Sequence, residues 1–284
     1  MRMRMRMRMR MRIALVAGAL AVACAAQPAT AAEPAGAAQP ATAAAQPATA
    51  AVAPAAQTVT SIPSVGPLFF PSLLGLGPTL RLPHFCSASV VHSTGHNLVL
   101  TAAHCVFGSG LGFEFAPGYH DGASPYGVWT VRRSYLDPAW LHGQDPQHDV
   151  AVLQMAPRGG LQVEDRTGAA TLGVAPPAGT PVTVDAYVAG SGGRPITCTA
   201  PAYYTAGFPS FDCAGYAAGV SGGPWLTGGP NGRVVGVVGG LHQGGCTDST
   251  SYTSAFGADV AALLARAQRG GAGDSAPVPG GDGC

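Results

Sequence analysis

Three short stretches occur in one order along the chain: Thr101-Ala102-Ala103-His104-Cys105, His148-Asp149-Val150-Ala151-Val152-Leu153 and Gly219-Val220-Ser221-Gly222-Gly223-Pro224. They supply a histidine, an aspartate and a serine within the length of one domain. A serine hydroxyl becomes a useful nucleophile when an adjacent base takes its proton, and an imidazole oriented by a carboxylate is such a base. His104, Asp149 and Ser221 are therefore the candidate catalytic residues of this chain.

The surroundings of the three residues agree with those roles. Glycines on both sides of Ser221 permit a tight turn and the close approach of another backbone. The backbone N–H groups of Gly219 and Ser221 would then point at one oxygen, as an oxyanion hole requires. Asp149 precedes an apolar run, and a carboxylate that enters a core needs a partner. His148 is the main rival to His104, but neighbours in a strand face opposite ways, so we expect His148 to point away.

These motifs resemble those of the chymotrypsin-like serine peptidases. The string Gly-Val-Ser-Gly-Gly-Pro-Trp, and the stretch from Phe115 to Trp140, are similar to a secreted bacterial branch related to the glutamyl endopeptidases. The resemblance implies an all-β fold of two antiparallel six-stranded barrels with a short C-terminal helix, and an active site in the cleft between the barrels. It also implies a serine endopeptidase that works through an acyl-enzyme on Ser221, with no metal or cofactor.

The resemblance extends to the substrate-binding strand. Its match here is Val238, Gly239, Gly240 and Leu241, whose backbone would pair with a peptide in an antiparallel manner. Relatives that cleave after acidic residues carry a histidine at about the place of Val238, which argues against strict glutamate cleavage. Asp212 could reach the floor of the pocket and favour arginine or lysine, although a surface position for Asp212 is the stronger expectation.

The chain divides by composition. A basic start followed by a short apolar run predicts a signal peptide, and Ala/Gln/Pro/Thr repeats after it predict a disordered propeptide or spacer. A Gly/Pro-rich tail should be mobile unless Cys284 is tethered. We therefore expect a signal peptide at 1–26, a spacer at 27–57, a peptidase domain at 58–269 with barrels at about 80–170 and 171–256 and a helix at 257–269, and a flexible tail at 270–284.

Short β-rich runs separated by Gly and Pro support the all-β class. The clearest are Ser87–Val91, Asn97–Thr101, Gly127–Arg132, Val150–Met155, Pro181–Val188, Gly232–Val238 and Ser251–Phe256.

Six of the seven cysteines lie outside the signal region, and an even number in a chain with an export signal predicts disulfides. The family resemblance implies a bond between Cys86 and Cys105. Cys198 is expected to pair with Cys213 across a hairpin, which would leave Cys246 for Cys284. A Cys213–Cys246 bond is the alternative, and the sequence does not decide between them.

The charge pattern excludes some partners. All 15 basic residues are arginine, and six of them lie in the Met-Arg repeat, so residues 13–284 carry nine arginines against 14 acids, a formal charge of −5. A nucleic-acid binder would show a basic face instead. The expected partner is a protein or peptide substrate, and the expected form is a secreted monomer that meets a membrane only through its signal peptide.

Val220 is the main departure from the family pattern. Pancreatic-type relatives carry an aspartate there, which pairs with a new N-terminal amine after zymogen cleavage. Activation through that ion pair is not expected here. Because of this substitution, a non-catalytic binding protein with the same fold is an alternative interpretation. A protein anchored at the cell surface through Cys24 is another.

Overall fold

A computed structural model describes residues 53–71, 84–281 and 283–284. The predicted signal peptide and all but the last residues of the predicted spacer lie outside the described residues. The strands are β1 (Gln57–Thr58), β2 (Val65–Phe69), β3 (Cys86–Val91), β4 (Leu98–Thr101), β5 (Glu114–Phe115), β6 (Trp129–Leu136), β7 (Ala151–Met155), β8 (Thr171–Leu172), β9 (Pro181–Tyr187), β10 (Pro195–Pro201), β11 (Tyr203–Thr205), β12 (Phe208–Asp212), β13 (Pro224–Thr227), β14 (Arg233–Val237) and β15 (Thr250–Tyr252). The α-helices are α1 (Pro138–Gly143), α2 (Val163–Thr167) and α3 (Ala258–Arg269).

The all-β class is confirmed, and the first half is a closed six-stranded barrel in the order β2-β3-β4-β7-β6-β5. This barrel begins at Val65, earlier than the predicted start near 80. The reason is that β2 contains Gly66 and Pro67, which weaken a strand signal. Gly66 is nevertheless required, because a Cβ there would lie 2.3 Å from the carbonyl oxygen of Ala116.

The second half does not form one ring of six strands. Its strands divide between a six-stranded sheet, β1-β10-β9-β13-β14-β8, and a three-stranded sheet, β11-β12-β15. The sheets share an apolar cluster that includes Phe211 and Trp225. The Cys198–Cys213 disulfide also joins β10 to the end of β12. Side-chain packing and a covalent bond therefore connect these sheets where a closed barrel would use strand pairing.

Helix α3 lies where the sequence predicts a helix and packs on the seam between the two halves. Its apolar stripe, Val260, Leu263 and Leu264, joins a cluster with side chains from both halves, among them Val152 and Val234. Among the described residues, no helix is both long and apolar enough to cross a bilayer.

A buried carboxyl in the second half makes stability depend on pH. Asp185 on β9 is 3% exposed, and burial raises its pKa to about 6 against a hydrogen bond from Thr197 that lowers it. The unfolded chain keeps a pKa near 3.8, so the folded protein binds the proton more tightly. The protein should therefore lose about 3 kcal/mol of unfolding free energy through this group as the pH rises from about 4 to above 6.

An Asp185→Asn variant removes that ionisation. The quantity is the unfolding free energy of the variant minus that of wild type, measured by urea denaturation. We expect this difference to be about 3 kcal/mol larger at pH 8 than at pH 4. The same difference at both pH values would show that Asp185 does not titrate in this range.

Candidate active site

His104 and Asp149 are joined by two hydrogen bonds. His104 lies in a 3-10 turn after β4, and Asp149 follows another 3-10 turn and precedes β7. The Nδ1 atom of His104 lies 2.7 Å from Oδ2 of Asp149, and the backbone N–H of His104 donates to Oδ1 of Asp149 at 2.8 Å. The carboxylate accepts the hydrogen bond that Nδ1 of His104 donates. The other ring nitrogen, Nε2, is therefore available to exchange a proton with a group bound in the cleft that His104 lines.

Asp149 is completely buried, and two further contacts hold it in place. Oδ2 also accepts the backbone N–H of Gly240 at 2.8 Å. The backbone N–H of Asp149 donates to Oγ of Ser254, which in turn donates to the carbonyl of Pro146. These bonds satisfy a carboxylate that burial would otherwise destabilise. Ser254 has no motif around it, so the sequence analysis missed it.

The loop that carries Ser221 is held tightly against both halves. Gly222 donates its N–H to the carbonyl of Val238 at 2.7 Å, and the carbonyl of Ser221 accepts the N–H of Ser87 at 2.7 Å. Gly219 and Gly222 adopt φ values of +95° and +80°, a region that favours glycine. Ser221 and His104 line the same cleft, which has a volume of about 730 Å³.

Two backbone N–H groups of this loop face no acceptor among the described residues, those of Gly219 and Ser221. Oγ of Ser87 donates to the carbonyl of Gly219 at 3.0 Å, and the same Oγ accepts the N–H of Tyr187 at 2.9 Å. The peptide groups that carry the two N–H donors are held through their carbonyls, because that of Ala218 accepts the N–H of Ala189 at 2.8 Å and that of Val220 accepts the N–H of Gly223 at 2.9 Å. The loop therefore offers two oriented donors next to a serine, as an oxyanion hole requires.

His84 packs behind these donors and was not predicted. It is buried, and burial lowers its pKa more than the hydrogen bond with the carbonyl of Tyr187 raises it, so the ring is neutral near pH 7 and donates from Nε2 at 3.0 Å. A Cβ at Gly219 would lie 2.9 Å from that nitrogen. The backbone nitrogen of Ala189 would lie closer still, at 2.7 Å, so these two neighbours leave room only for glycine at position 219.

Two other polar residues that the sequence analysis considered lie elsewhere. His148 contacts Asp145 at 3.2 Å and Asp259 at 3.8 Å, on the side of α3. Asp212 accepts hydrogen bonds from Tyr203 and Thr250 and is not part of the cleft lining. The aspartate that lines the cleft is Asp248, a position without a sequence signal.

Of the border segment 238–241, Val238 lines the cleft, and most of the segment's backbone N–H groups donate to the protein itself. The N–H groups of Val238, Gly239 and Gly240 donate to Gly223, Tyr252 and Asp149 respectively. Gly239 must be glycine, since a Cβ there would lie 2.9 Å from Oδ2 of Asp149.

Val220 is buried in the apolar cluster of the second half, together with Val184 and Trp225. An apolar side chain in that place needs no cationic partner. The backbone bonds to Ser87 and Val238 hold the loop instead.

Three groups of side chains in the described part of the chain lie close enough together to hold a metal ion: Cys86 with His104 and Cys105, His242 with Cys246 and Cys284, and His92 with His96 and Glu164. Cys86 is bonded to Cys105, and Cys246 to Cys284, so none of these four sulfurs is a free thiolate. On the surface, His92 pairs with Glu164 at 2.5 Å and His96 with Asp165 at 2.7 Å.

Comparisons with known proteins agree with this geometry. A family model described as a trypsin-like peptidase domain matches residues 86–237, more than half of the chain. A search of curated proteins gave no significant match. Among solved structures, the protease Anisep from Arthrobacter nicotinovorans is 26% identical, with a TM-score of 0.64 over 76% of this chain and 100% of that one.

Two further structures share the fold. The thermostable serine protease AL20 from an extremophilic microorganism is 26% identical, with a TM-score of 0.61 over 74% of this chain and 98% of that one. A Glu endopeptidase is 16% identical, with a TM-score of 0.58 over 76% of this chain and 98% of that one. With the family model covering most of the first barrel and the nucleophile loop, this chain belongs to the trypsin-like peptidase domain family.

Proposed function

We propose that the protein is a secreted serine endopeptidase that uses Ser221 as nucleophile, His104 as general base and Asp149 as the residue that orients His104. One observation carries the proposal: His104, which is hydrogen-bonded to the buried Asp149, lines one cleft with Ser221, whose loop has two backbone N–H donors without an acceptor among the described residues.

The steps follow from these positions. Oγ of Ser221 attacks the carbonyl carbon of the scissile bond while Nε2 of His104 takes its proton. The N–H groups of Gly219 and Ser221 stabilise the resulting oxyanion, each by about 3 kcal/mol. His104 then protonates the leaving amine, and an acyl-enzyme on Ser221 remains. Water hydrolyses it in the second stage, in which His104 takes a proton from the water and returns one to Oγ of Ser221.

The peptide backbone would pair with the border segment 238–241. Two of its backbone groups have no partner among the described residues, the carbonyl of Gly239 and the N–H of Leu241. We infer that they bind the acyl half of the substrate in an antiparallel arrangement. Tyr216, Ala217 and Val238 line the cleft beside Ser221, so its walls there are largely apolar.

Secretion is part of the same proposal. The basic and apolar start at 1–26 reads as an export signal, and the peptidase domain at 58–269 carries disulfides, which persist in oxidising compartments.

The test is digestion of a peptide library by the purified, processed protein, with Ser221→Ala as control. We expect cleavage inside peptide chains by wild type and none above background by the variant. Equal cleavage by both would contradict the assignment of Ser221, and no cleavage by folded wild type would contradict peptidase activity.

A further inference from the structure

The C-terminal tail does not hang free after α3 but follows the surface of the first barrel. The Asp274 carboxylate binds the Arg266 guanidinium and accepts the backbone N–H of Leu136 at 2.8 Å. Further on, Ala276 exchanges two backbone hydrogen bonds with Gly108, at 2.7 and 3.0 Å, and its side chain is buried in the barrel core. These contacts direct the following residues towards the cleft.

Two glutamines, one from each half of the domain, then hold the tail. Gln144, at the end of α1, donates to the carbonyl of Val278 at 3.1 Å and accepts the N–H of Gly280 at 2.6 Å. Gln243, in the turn after the border segment, donates to the carbonyl of Gly280 at 2.9 Å. Pro279 lies between them and lines the same cleft as His104 and Ser221. The tail therefore connects the two halves of the domain and lines the cleft with Pro279.

A disulfide fixes the end of this bridge. Cys284 is bonded to Cys246, which itself lines the cleft, with a Cα–Cα distance of 5.4 Å. Barrel contacts at Asp274 and Ala276 hold the tail before Pro277, and the disulfide holds its end at Cys284. A substrate that needs this space must displace a segment tethered at both ends.

The chemistry indicates which half of the substrate meets the tail. The leaving amine takes its proton from His104, whose ring lies within 4.8 Å of the sulfurs of the Cys86–Cys105 disulfide. The acyl half must run the other way, along Gly239 and Leu241. That direction leads to Gln243 and the tail.

We propose that the tail after Ala276, described at 277–281 and 283–284, forms a strap that closes the acyl-side end of the cleft, so that the peptidase favours substrates with a short segment before the scissile bond. This inference rests on the proposed peptidase function. It predicts that the strap, and not the catalytic groups around Ser221, limits the rate of cleavage at bonds far from the N-terminus of the substrate.

The experiment compares wild type with a variant that ends at Pro277 and with Cys284→Ser. The truncated chain keeps the contacts of Asp274 and Ala276 with the barrel. The substrates are acetyl-X-aminomethylcoumarin and acetyl-Ala-Ala-Ala-X-aminomethylcoumarin, with X varied over the amino acids, and the quantity is the ratio of kcat/KM for the long to the short substrate. Labelling by a small fluorophosphonate reports separately on Ser221.

We expect both variants to raise this ratio about tenfold, because added backbone hydrogen bonds to a longer acyl segment then contribute to binding. Fluorophosphonate labelling should proceed at nearly the wild-type rate. An unchanged ratio in proteins that label normally would overturn the strap while leaving the proposed function intact. Absence of labelling in folded wild type would overturn the proposed function and the strap with it.

A matched pair of substitutions covers the case in which a shortened chain does not fold. Gln144→Asn removes one methylene from the side chain that makes two bonds to the tail, and asparagine tolerates the φ of +50° at this position. Gln147→Asn makes the same change three residues on, where no described side-chain bond to the tail exists. The ratio should rise in Gln144→Asn and not in Gln147→Asn; equal ratios would contradict the strap.

Discussion

An Asp149→Asn variant should lose about four orders of magnitude in kcat while it remains folded. The carboxylate accepts a hydrogen bond from Nδ1 of His104 and another from the N–H of Gly240. An amide has only one oxygen, and where its NH₂ group takes the place of Oδ2 it faces Nδ1 of His104, which reverses the tautomer of the ring and places its proton on Nε2. A ring protonated on Nε2 cannot take the proton of Ser221.

The measurement is steady-state hydrolysis of the best library substrate, with circular dichroism as a check on the fold. Asp145→Asn is the matched control, because Asp145 caps the neighbouring 3-10 turn and asparagine caps equally well. The control should keep nearly full activity. A kcat for Asp149→Asn within tenfold of wild type would show that another group orients His104.

A Gly222→Ala variant should have the largest effect on stability. Gly222 follows the nucleophile at a φ of +80°, and a Cβ there would lie 2.1 Å from Oγ1 of Thr101 and 2.2 Å from the carbonyl oxygen of Ser87. The left-handed backbone alone costs an alanine about 1–2 kcal/mol. Because the overlap adds to this cost, we expect a total loss above about 4 kcal/mol in the free energy of unfolding.

Gly229→Ala separates the two contributions. Gly229 has a φ of +85°, but a Cβ there would have no neighbour within 4 Å. Urea denaturation should show a loss of about 1–2 kcal/mol for this control. Equal losses in the two variants would mean that the contacts of Gly222 with Thr101 and Ser87 do not constrain the nucleophile loop.

The parts of the fold that the sequence predicts well are those with local signals. Strands such as Leu98–Thr101 and Ala151–Met155 are short apolar runs between turn residues, and α3 shows its helical stripe directly. The motifs around His104, Asp149 and Ser221 likewise consist of neighbours in sequence. These elements depend on little that lies far away along the chain.

The remaining features depend on contacts between distant residues. Ser87 contacts Gly219 across 132 positions, and Ser254 contacts Asp149 across 105. A lone serine has no pattern that predicts such a contact. The tail reads as mobile because it is rich in Gly and Pro, but its path depends on Asp274, Gln144 and a disulfide that pairing rules leave open.

The most direct test of the central claim is fluorophosphonate labelling of the processed protein, read by intact mass. The account predicts one adduct on wild type, none on Ser221→Ala, and strongly slowed labelling on His104→Ala. An adduct of equal yield on Ser221→Ala, or no adduct on folded wild type, would contradict an activated Ser221.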